Sequence, residues 1–364
     1  MDISEKYMSR CLELAKNGMG NVAPNPMVGA VIVRDDVIIG EGYHCGYGTA
    51  HAEVNAIASV RDETLLPDST MYVSLEPCSH YGKTPPCVEL IIRKGIPRVI
   101  VACTDPFPEI AGRGIKMLRD AGIEVVTGVM EREAVGLNRF FMTLHRQRRP
   151  YVILKWAQSS DGFLDRKRTD RSEAPVFLST SVTRMMAHKL RSEVQAIMVG
   201  TNTVVLDDPL LTVRYWAGNS PLRITVDNHM RIPGNARLFD GSYPVLIYRK
   251  REGDDFARLL SGENKEYKTI EASRSFVKEI TDDLYGRNIA SLLVEGGAQL
   301  HQSFIEENIW DEMIVETAPI KLGEGVPAVD VKGRLGLQPF DVKEIPFSCR
   351  GCGKASLIEV YTRN

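Results

Sequence analysis

Long apolar runs are missing from this chain: none reaches the roughly 20 residues a helix needs to cross a bilayer, so no membrane-spanning segment is expected. A charge excess is missing as well. Formal net charge is −2, too little of either sign to hold a long nucleic acid by its overall field, and a small substrate is the expectation. The seven cysteines form no even-spaced framework, and they suit reduced thiols in a cytoplasm better than disulfides. A secretory layout is not seen at the start, because Asp2, Glu5, Lys6, Arg10 and Glu13 interrupt the apolar positions of the first turns. Nor does a complete G-x-G-x-x-G follow any strand-like stretch, which removes the usual dinucleotide fingerprint.

What is there is ordinary soluble-protein composition, 43% hydrophobic and 25% charged, spread over 364 residues, a length that favours two domains. Two short strings stand out: His51-Ala52-Glu53, and Pro77-Cys78-Ser79-His80-Tyr81-Gly82-Lys83-Thr84-Pro85-Pro86-Cys87. One imidazole and two thiolates make a three-ligand set for a tetrahedral Zn²⁺ with the fourth corner open to water, which is the layout of a catalytic site. Glu53, two residues after the histidine, is placed to shuttle protons between water and substrate without being a ligand. This is the arrangement of the zinc nucleobase deaminases.

Along the first part of the chain, Ser4 to Ala15 has helical apolar spacing, and Met27 to Val33 with Val37 to Gly42 read as a hairpin that places Asn25 and His44 at opposite ends of a small sheet. Helices are expected over His51 to Val60, Cys87 to Lys94 and Gly114 to Ala121, with strands over Thr70 to Leu75, Arg98 to Ala102 and Ile123 to Val126, a mixed α/β layer. His51 and Cys87 thus fall at helix starts, where free amides and the dipole favour thiolate. Asn25, His44, His80 and Lys83 are candidate substrate contacts. The basic run His145-Arg146-Gln147-Arg148-Arg149 before Pro150 reads as a solvated helix end, and the domain boundary is placed there, giving 1–149 and 150–364.

The spacing between the two cysteines departs from the common deaminase form, since eight residues stand where two are usual. Together with Pro24-Asn25-Pro26-Met27-Val28-Gly29 and Gly42-Tyr43-His44, the inserted string resembles the bifunctional deaminase and reductase family of riboflavin biosynthesis. The resemblance implies a cytidine-deaminase-like three-layer N-terminal domain, and it gives His80 and Lys83 to a ribosylaminopyrimidine 5′-phosphate.

Beyond Pro150, Tyr151 to Ala157 reads as an apolar strand interrupted by Lys155, which either reaches solvent at a sheet edge or meets an anion in a cleft; the cleft is favoured. Ser179 to Val194 reads as a helix, and Ala196 to Gly200, Leu222 to Asp227, Tyr243 to Tyr248 and Ser291 to Val294 as strands. Glu295-Gly296-Gly297 is a glycine turn before a helix over Ala298 to Glu307, a shape in which backbone amides can close on a phosphate. Cys349 and Cys352 form a lone C-x-x-C without a partner pair.

Lys155 to Gly162, Val199 to Thr203, Asp207 to Arg214 and Leu293 to Gly297 resemble the reductase half of the same family. That resemblance implies a dihydrofolate-reductase-like sheet, NADPH as cofactor, and reduction of a ribosyl group to ribityl. It implies cofactor contacts at Ala157, Thr203, Asp207 and along Gly297, Ala298, Gln299, Leu300, His301, Gln302 and Ser303. For the reductase substrate it implies Arg191, Leu211, Arg214 and Glu295, to which Lys155 is added, with Arg191 and Arg214 expected to grip the phosphate. Ser160 departs from the family's usual leucine, and 166–177 fits the family pattern poorly. The expected protein deaminates a phosphorylated pyrimidine with Zn²⁺ and then reduces its sugar with NADPH. The rivals are a nucleoside or tRNA deaminase with a structural appendage and a non-enzymatic zinc module. Oligomeric state, a homo-oligomer included, is open.

Overall fold

The computed structural model describes residues 3–363 apart from 82–84, 108–110, 251–261, 263, 272–274 and 347–354. Lys83, Cys349 and Cys352 therefore lie outside the described residues. The chain divides into two compact units, Met1–Arg148 and Arg149–Asn364.

In the first unit, helix α1 (Ile3–Lys16) buries Tyr7, Met8, Cys11, Leu12 and Ala15, a stripe at three- and four-residue spacing. Strands β1 (Gly29–Arg34) and β2 (Val37–Tyr43) form a hairpin whose two turn residues, Asp35 and Asp36, sit at φ 48° and 59°, as a type I′ turn requires. There follow α2 (Ala52–Ala58), β3 (Thr70–Val73), α3 (Cys87–Arg93), β4 (Arg98–Val101), α4 (Arg113–Asp120), β5 (Glu124–Thr127), α5 (Glu131–Leu137) and α6 (Arg139–Gln147). The sheet order is β2-β1-β3-β4-β5, with β1 antiparallel to both neighbours and β3, β4 and β5 parallel. Alternation along β1 sends Ala30 and Ile32 to a core shared with α2, α3 and α4, and Val31 and Val33 to one shared with α1 and α6. The result is three layers.

One expectation is corrected by this hairpin. Antiparallel pairing sets Gly29 against Tyr43, so the residues just before β1 and just after β2 share one end of the sheet. Asn25 and His44 are neighbours, with Asn25 Nδ2 3.2 Å from His44 Nε2.

In the second unit the chain runs through β6 (Tyr151–Gln158), β7 (Phe163–Asp165), α7 (Ser181–Glu193), β8 (Ala196–Val199), α8 (Thr201–Asp207), β9 (Leu222–Val226), β10 (Val245–Lys250) and β11 (Lys265–Ile270). Helix Phe276–Gly286, β12 (Ser291–Gly296), helix Ala298–Glu306, β13 (Glu312–Thr317), β14 (Val326–Pro327), the short helix Val331–Leu335, β15 (Asp341–Pro346) and β16 (Ala355–Thr362) follow. The large sheet has the order β11-β10-β9-β8-β12-β6-β13-β16-β15, parallel from β11 to β13 and antiparallel at the β16 and β15 edge. Strand β12 returns late in the sequence to lie between β8 and β6, so the crevice beyond the carboxyl ends of these three strands is where such a sheet takes a ligand.

Candidate active site

The helix that follows His51, one of the candidate metal ligands, is seated by a backbone contact that only glycine permits. A Cβ on Gly42 would stand 2.3 Å from Ala56 N, so its absence lets α2 lie directly on β2. His51 occupies the residue before α2, and Cys87 is the first residue of α3. Cys78 follows β3, and its Sγ accepts from the Cys87 amide at 3.2 Å. His51 Nδ1 lies 3.5 Å from Cys78 Sγ and 3.3 Å from Cys87 Sγ, and the three donor atoms are all within 4.8 Å of one another. Ordinary zinc bond lengths put N···S edges of a tetrahedron at about 3.6 Å, so this donor set fits zinc as it stands.

Glu53 is 3% exposed beside these ligands, and burial pushes its carboxyl up to about 7, so near neutral pH it can both take and give a proton. The two thiols share a hydrogen bond, donated by Cys87, which holds Cys78 well below the usual thiol range and pushes Cys87 above it.

A cavity of about 380 Å³ opens from this cluster and is lined by Asn25, His44, Glu53 and His80 among others. His44 Nδ1 donates to Ala50 O at 3.0 Å, which leaves Nε2 as the acceptor from the Asn25 amide; both imidazole nitrogens are thus committed within the protein. His44 therefore orients Asn25, while the Asn25 carbonyl stays available. Sequence reasoning missed Glu76, Asp105, Phe107, Phe141 and His145 on the cavity wall. Glu76 and Asp105 had a signal, since each follows the carboxyl end of a neighbouring parallel strand. The Glu76 carboxylate accepts from the amides of Asp105, Gly112, Gly114 and Ile115, fixing the loop that carries Asp105.

The basic run is also corrected. Arg146, Gln147 and Arg148 are exposed, but His145 faces the cavity and Arg149 is drawn into a bidentate pair with Asp311 at 2.5 and 2.7 Å.

In the second unit, Lys155 lies on β6 between β12 and β13, so the sheet-edge reading fails. Its charge acts on Glu295, and so, more strongly, does Arg191, whose guanidinium grips Glu295 with both ends at 2.8 and 2.5 Å. Burial pushes the Glu295 carboxyl up, but Arg191 outweighs it and holds the group below its ordinary range. The Arg191 guanidinium also donates to Thr212 O at 3.1 Å, so it is not a free phosphate grip. Arg214 commits one nitrogen to Thr212 Oγ1 and remains exposed. Leu211 is 2% exposed, at φ 56°.

Gly296 and Gly297, the latter at φ 87°, close on Thr203: Cβ atoms there would lie 3.3 and 3.6 Å from Thr203 Oγ1. The glycine turn of β12 and the start of α8 are thereby juxtaposed at the carboxyl ends of their strands, and Ala157 lies near the end of β6, the next strand over. Of the helix that follows, Ala298, Gln299, Gln302 and Ser303 are at least partly exposed, whereas Leu300 and His301 are buried at 7% and 1%. The side chains of these two are removed from the expected cofactor contacts, because a helix can offer a ligand one face only. His301 instead bonds Val294 O at 3.1 Å. Asp207 is ion-paired with Arg168, which also bonds Leu206 O, while Arg171 donates to Val204 O and Val205 O. The poorly matching stretch 166–177 thus straps the C-terminal end of α8. Ser160 is exposed, and its hydroxyl donates to Ile320 O.

Residues 1–103 match the cytidine and deoxycytidylate deaminase zinc-binding region, and residues 150–346 match the RibD C-terminal domain. Over 332 residues the chain is 40% identical to the riboflavin biosynthesis protein RibD of Aquifex aeolicus, covering 91% of each. The chain belongs to the RibD family. The RibD of Bacillus amyloliquefaciens is 40% identical over 348 residues, covering 94% of this chain and 91% of that one. A solved Thermotoga maritima structure, described as a diaminohydroxyphosphoribosylaminopyrimidine deaminase/5-amino-6-(5-phosphoribosylamino)uracil reductase, aligns with TM-score 0.83 and 34% identity over 100% of this chain and 99% of its own. An Acinetobacter baumannii RibD structure gives TM-score 0.83 and 32% identity over 99% of both chains. As a RibD family member, the chain is a bifunctional deaminase and reductase of riboflavin biosynthesis, with a zinc-binding cytidine-deaminase domain and a dihydrofolate-reductase-like domain of the kind that uses NADPH. Among the described residues no helix is long and apolar enough to cross a membrane.

Proposed function

We propose that residues 1–149 remove the 2-amino group of 2,5-diamino-6-(ribosylamino)-4(3H)-pyrimidinone 5′-phosphate, and that residues 150–364 then reduce the ribosyl group of the product to ribityl. The observation that carries the first step is the fit of His51, Cys78 and Cys87 to zinc beside the buried Glu53. Zinc, when bound there, supplies Lewis acidity that makes water a nucleophile near neutral pH. Glu53 takes a proton as the water oxygen bonds to the ring carbon bearing the amino group. It returns a proton to the nitrogen as that C–N bond breaks, leaving a ring carbonyl and ammonia. Asn25 holds the pyrimidine by its carbonyl, in the orientation His44 imposes, and His80 and Lys83 take the phosphate end.

For the second step NADPH, when bound, would supply the hydride chemistry that turns the ribosyl group into ribityl. Thr203, Gly297, Ala298, Gln299, Gln302 and Ser303 hold the cofactor with Ala157, and Asp207 shapes that site through Arg168. Lys155 and Glu295 face the reacting end, Arg191 fixes Glu295, Leu211 shapes the substrate wall, and Arg214 takes the phosphate. Substrate and product are small phosphorylated pyrimidines; neither nucleic acid nor membrane has a part, and the enzyme works in the cytoplasm. Purified protein should release ammonia from the diaminopyrimidine ribosyl phosphate and not from cytidine. Release from cytidine alone would favour a nucleoside deaminase with a structural appendage.

A further inference from the structure

The wall of the deaminase cavity contributed by α6 has a use that zinc and Glu53 do not explain. Phe141 and His145 stand four residues apart on one face of α6, and both line the cavity with Phe107. The imidazole of His145 meets both phenyl rings edge-on, with centroids 4.5 Å from Phe141 at 66° and 5.6 Å from Phe107 at 81°. Such edge-to-face packing fixes the plane of the ring. Burial lowers the His145 pKa, so the imidazole tends to be neutral, with one donor and one acceptor nitrogen. Neither nitrogen has a hydrogen-bond partner among the described residues. A half-buried polar ring, clamped in place and left unpaired beside a cavity, is arranged for a ligand.

Charges around the cavity fall into two sets. His44, His51, Glu53 and Cys78 act on one another at the metal end. Asp105 is acted on by His145, Glu76 and His80, and it is the ionisable group that acts on His145. In the substrate the departing amino group and the ribosylamino group are on ring carbons separated by one nitrogen, so with the first at Glu53 the second points along the cavity, away from the metal. A carboxylate beside a neutral imidazole suits hydroxyl groups, which donate to the first and pair with the second.

We infer that His145 is a further substrate-binding residue of the deaminase, one that hydrogen-bonds a ribosyl hydroxyl in the cavity it lines with Phe107 and Phe141. The inference rests on the deaminase reading above, and unaltered protein that releases no ammonia from the ribosyl substrate would show that reading, rather than this one, to be wrong. Two variants of the full-length, zinc-loaded protein test it. His145→Phe keeps a ring against Phe107 and Phe141 but removes both nitrogens, whereas His145→Gln keeps donor and acceptor and loses the ring.

Loss of one neutral hydrogen bond predicts a KM for the ribosyl phosphate substrate raised about ten-fold in His145→Phe. Its kcat and zinc content should stay close to those of unaltered protein, and His145→Gln should restore most of the KM. The sugar-free 2,5,6-triaminopyrimidinone, used as a competitive inhibitor, should have the same Ki in unaltered protein and His145→Phe. A His145→Phe protein with unaltered KM, equal losses in both variants, or a Ki that rises in step with KM would overturn the inference, the last by moving the contact to the pyrimidine.

Discussion

The two units build their reactive centres from opposite materials. In the first, His51, Cys78 and Cys87, the three donors that could hold a metal, and the buried Glu53 come from two short strings. In the second, Lys155, Arg191, Arg214 and Glu295 come from β6, α7, a loop and β12, and the central pair, Arg191 with Glu295, is already satisfied within the protein. The first centre depends on a group the chain must acquire; the second is built round an ion pair, Arg191 with Glu295, that forms before any ligand arrives. Loss of one residue should therefore be felt differently in each, as lost metal and chemistry in the first and as lost stability with disturbed binding in the second.

The largest effect is expected in the first unit. Cys78→Ala should lose bound zinc and lower deamination by more than about 10³-fold, since both the Lewis acid and its water go together. Glu53→Gln should keep zinc, because the carboxamide is nearly isosteric and outside the ligand set, yet lose about 10²–10⁴-fold of the rate as general acid-base catalysis disappears. Both variants should still reduce the deaminated intermediate with NADPH. Atomic absorption alongside the two assays checks this, and a Glu53→Gln protein without zinc would make Glu53 part of the ligand shell.

That contrast also explains what could be read in advance. His51, Glu53, Cys78 and Cys87 announce themselves because the chemistry needs rare residue types at short spacing, and the helix that begins at Cys87 is bounded by Pro85-Pro86 before it and Gly95 after it. His145 was hidden by its neighbours: three exposed polar residues follow it, and only the pitch of α6 turns it inward with Phe141. The buried stretches Ala196–Val199 of β8 and Leu292–Val294 of β12 were legible as apolar runs, whereas β11 and β15, half-exposed and rich in Lys and Glu, were not. Arg191 illustrates the last limit. Its residue type suits phosphate, but the partner that claims it is more than a hundred residues away, and only the return of β12 beside β8 brings the two together.

A second, smaller effect would sharpen the comparison. Arg191→Met removes one member of a pair whose side chains are 13% and 11% exposed and leaves Glu295 without its main partner, at a cost of about 3 kcal/mol. Glu295 is held below its ordinary pKa in the folded protein, so the pair's contribution is full above the unfolded carboxylate range and is lost as pH falls through the lowered value. The deficit of Arg191→Met in urea denaturation should thus be full at pH 7 and shrink below about pH 4. A double variant that also carries Glu295→Gln should recover much of the stability. A deficit unchanged by either would mean that Arg191 acts through packing.

The smallest effect is expected at Arg214, where the second unit, like the first, depends on an arriving group. Its guanidinium commits one nitrogen to Thr212 Oγ1, and its backbone amide donates to His188 Nδ1 at 2.9 Å. Burial, followed by the nearby Arg191 charge, lowers the Arg214 pKa, so a cation there is partly uncompensated and gains from an arriving anion. His188 must accept that amide hydrogen, and it stays neutral because burial and then Arg191 and Arg214 hold its pKa down at about 4. The main chain at Arg214 is therefore fixed while part of its side chain is left for a ligand. Arg214→Ala should raise KM for the phosphorylated reductase substrate about ten-fold, as the loss of one charge-assisted contact implies, with NADPH affinity nearly unchanged. The penalty should shrink on the dephosphorylated substrate, since no phosphate is then left unpaired. Equal penalties on both substrates in steady-state kinetics would remove Arg214 from phosphate recognition.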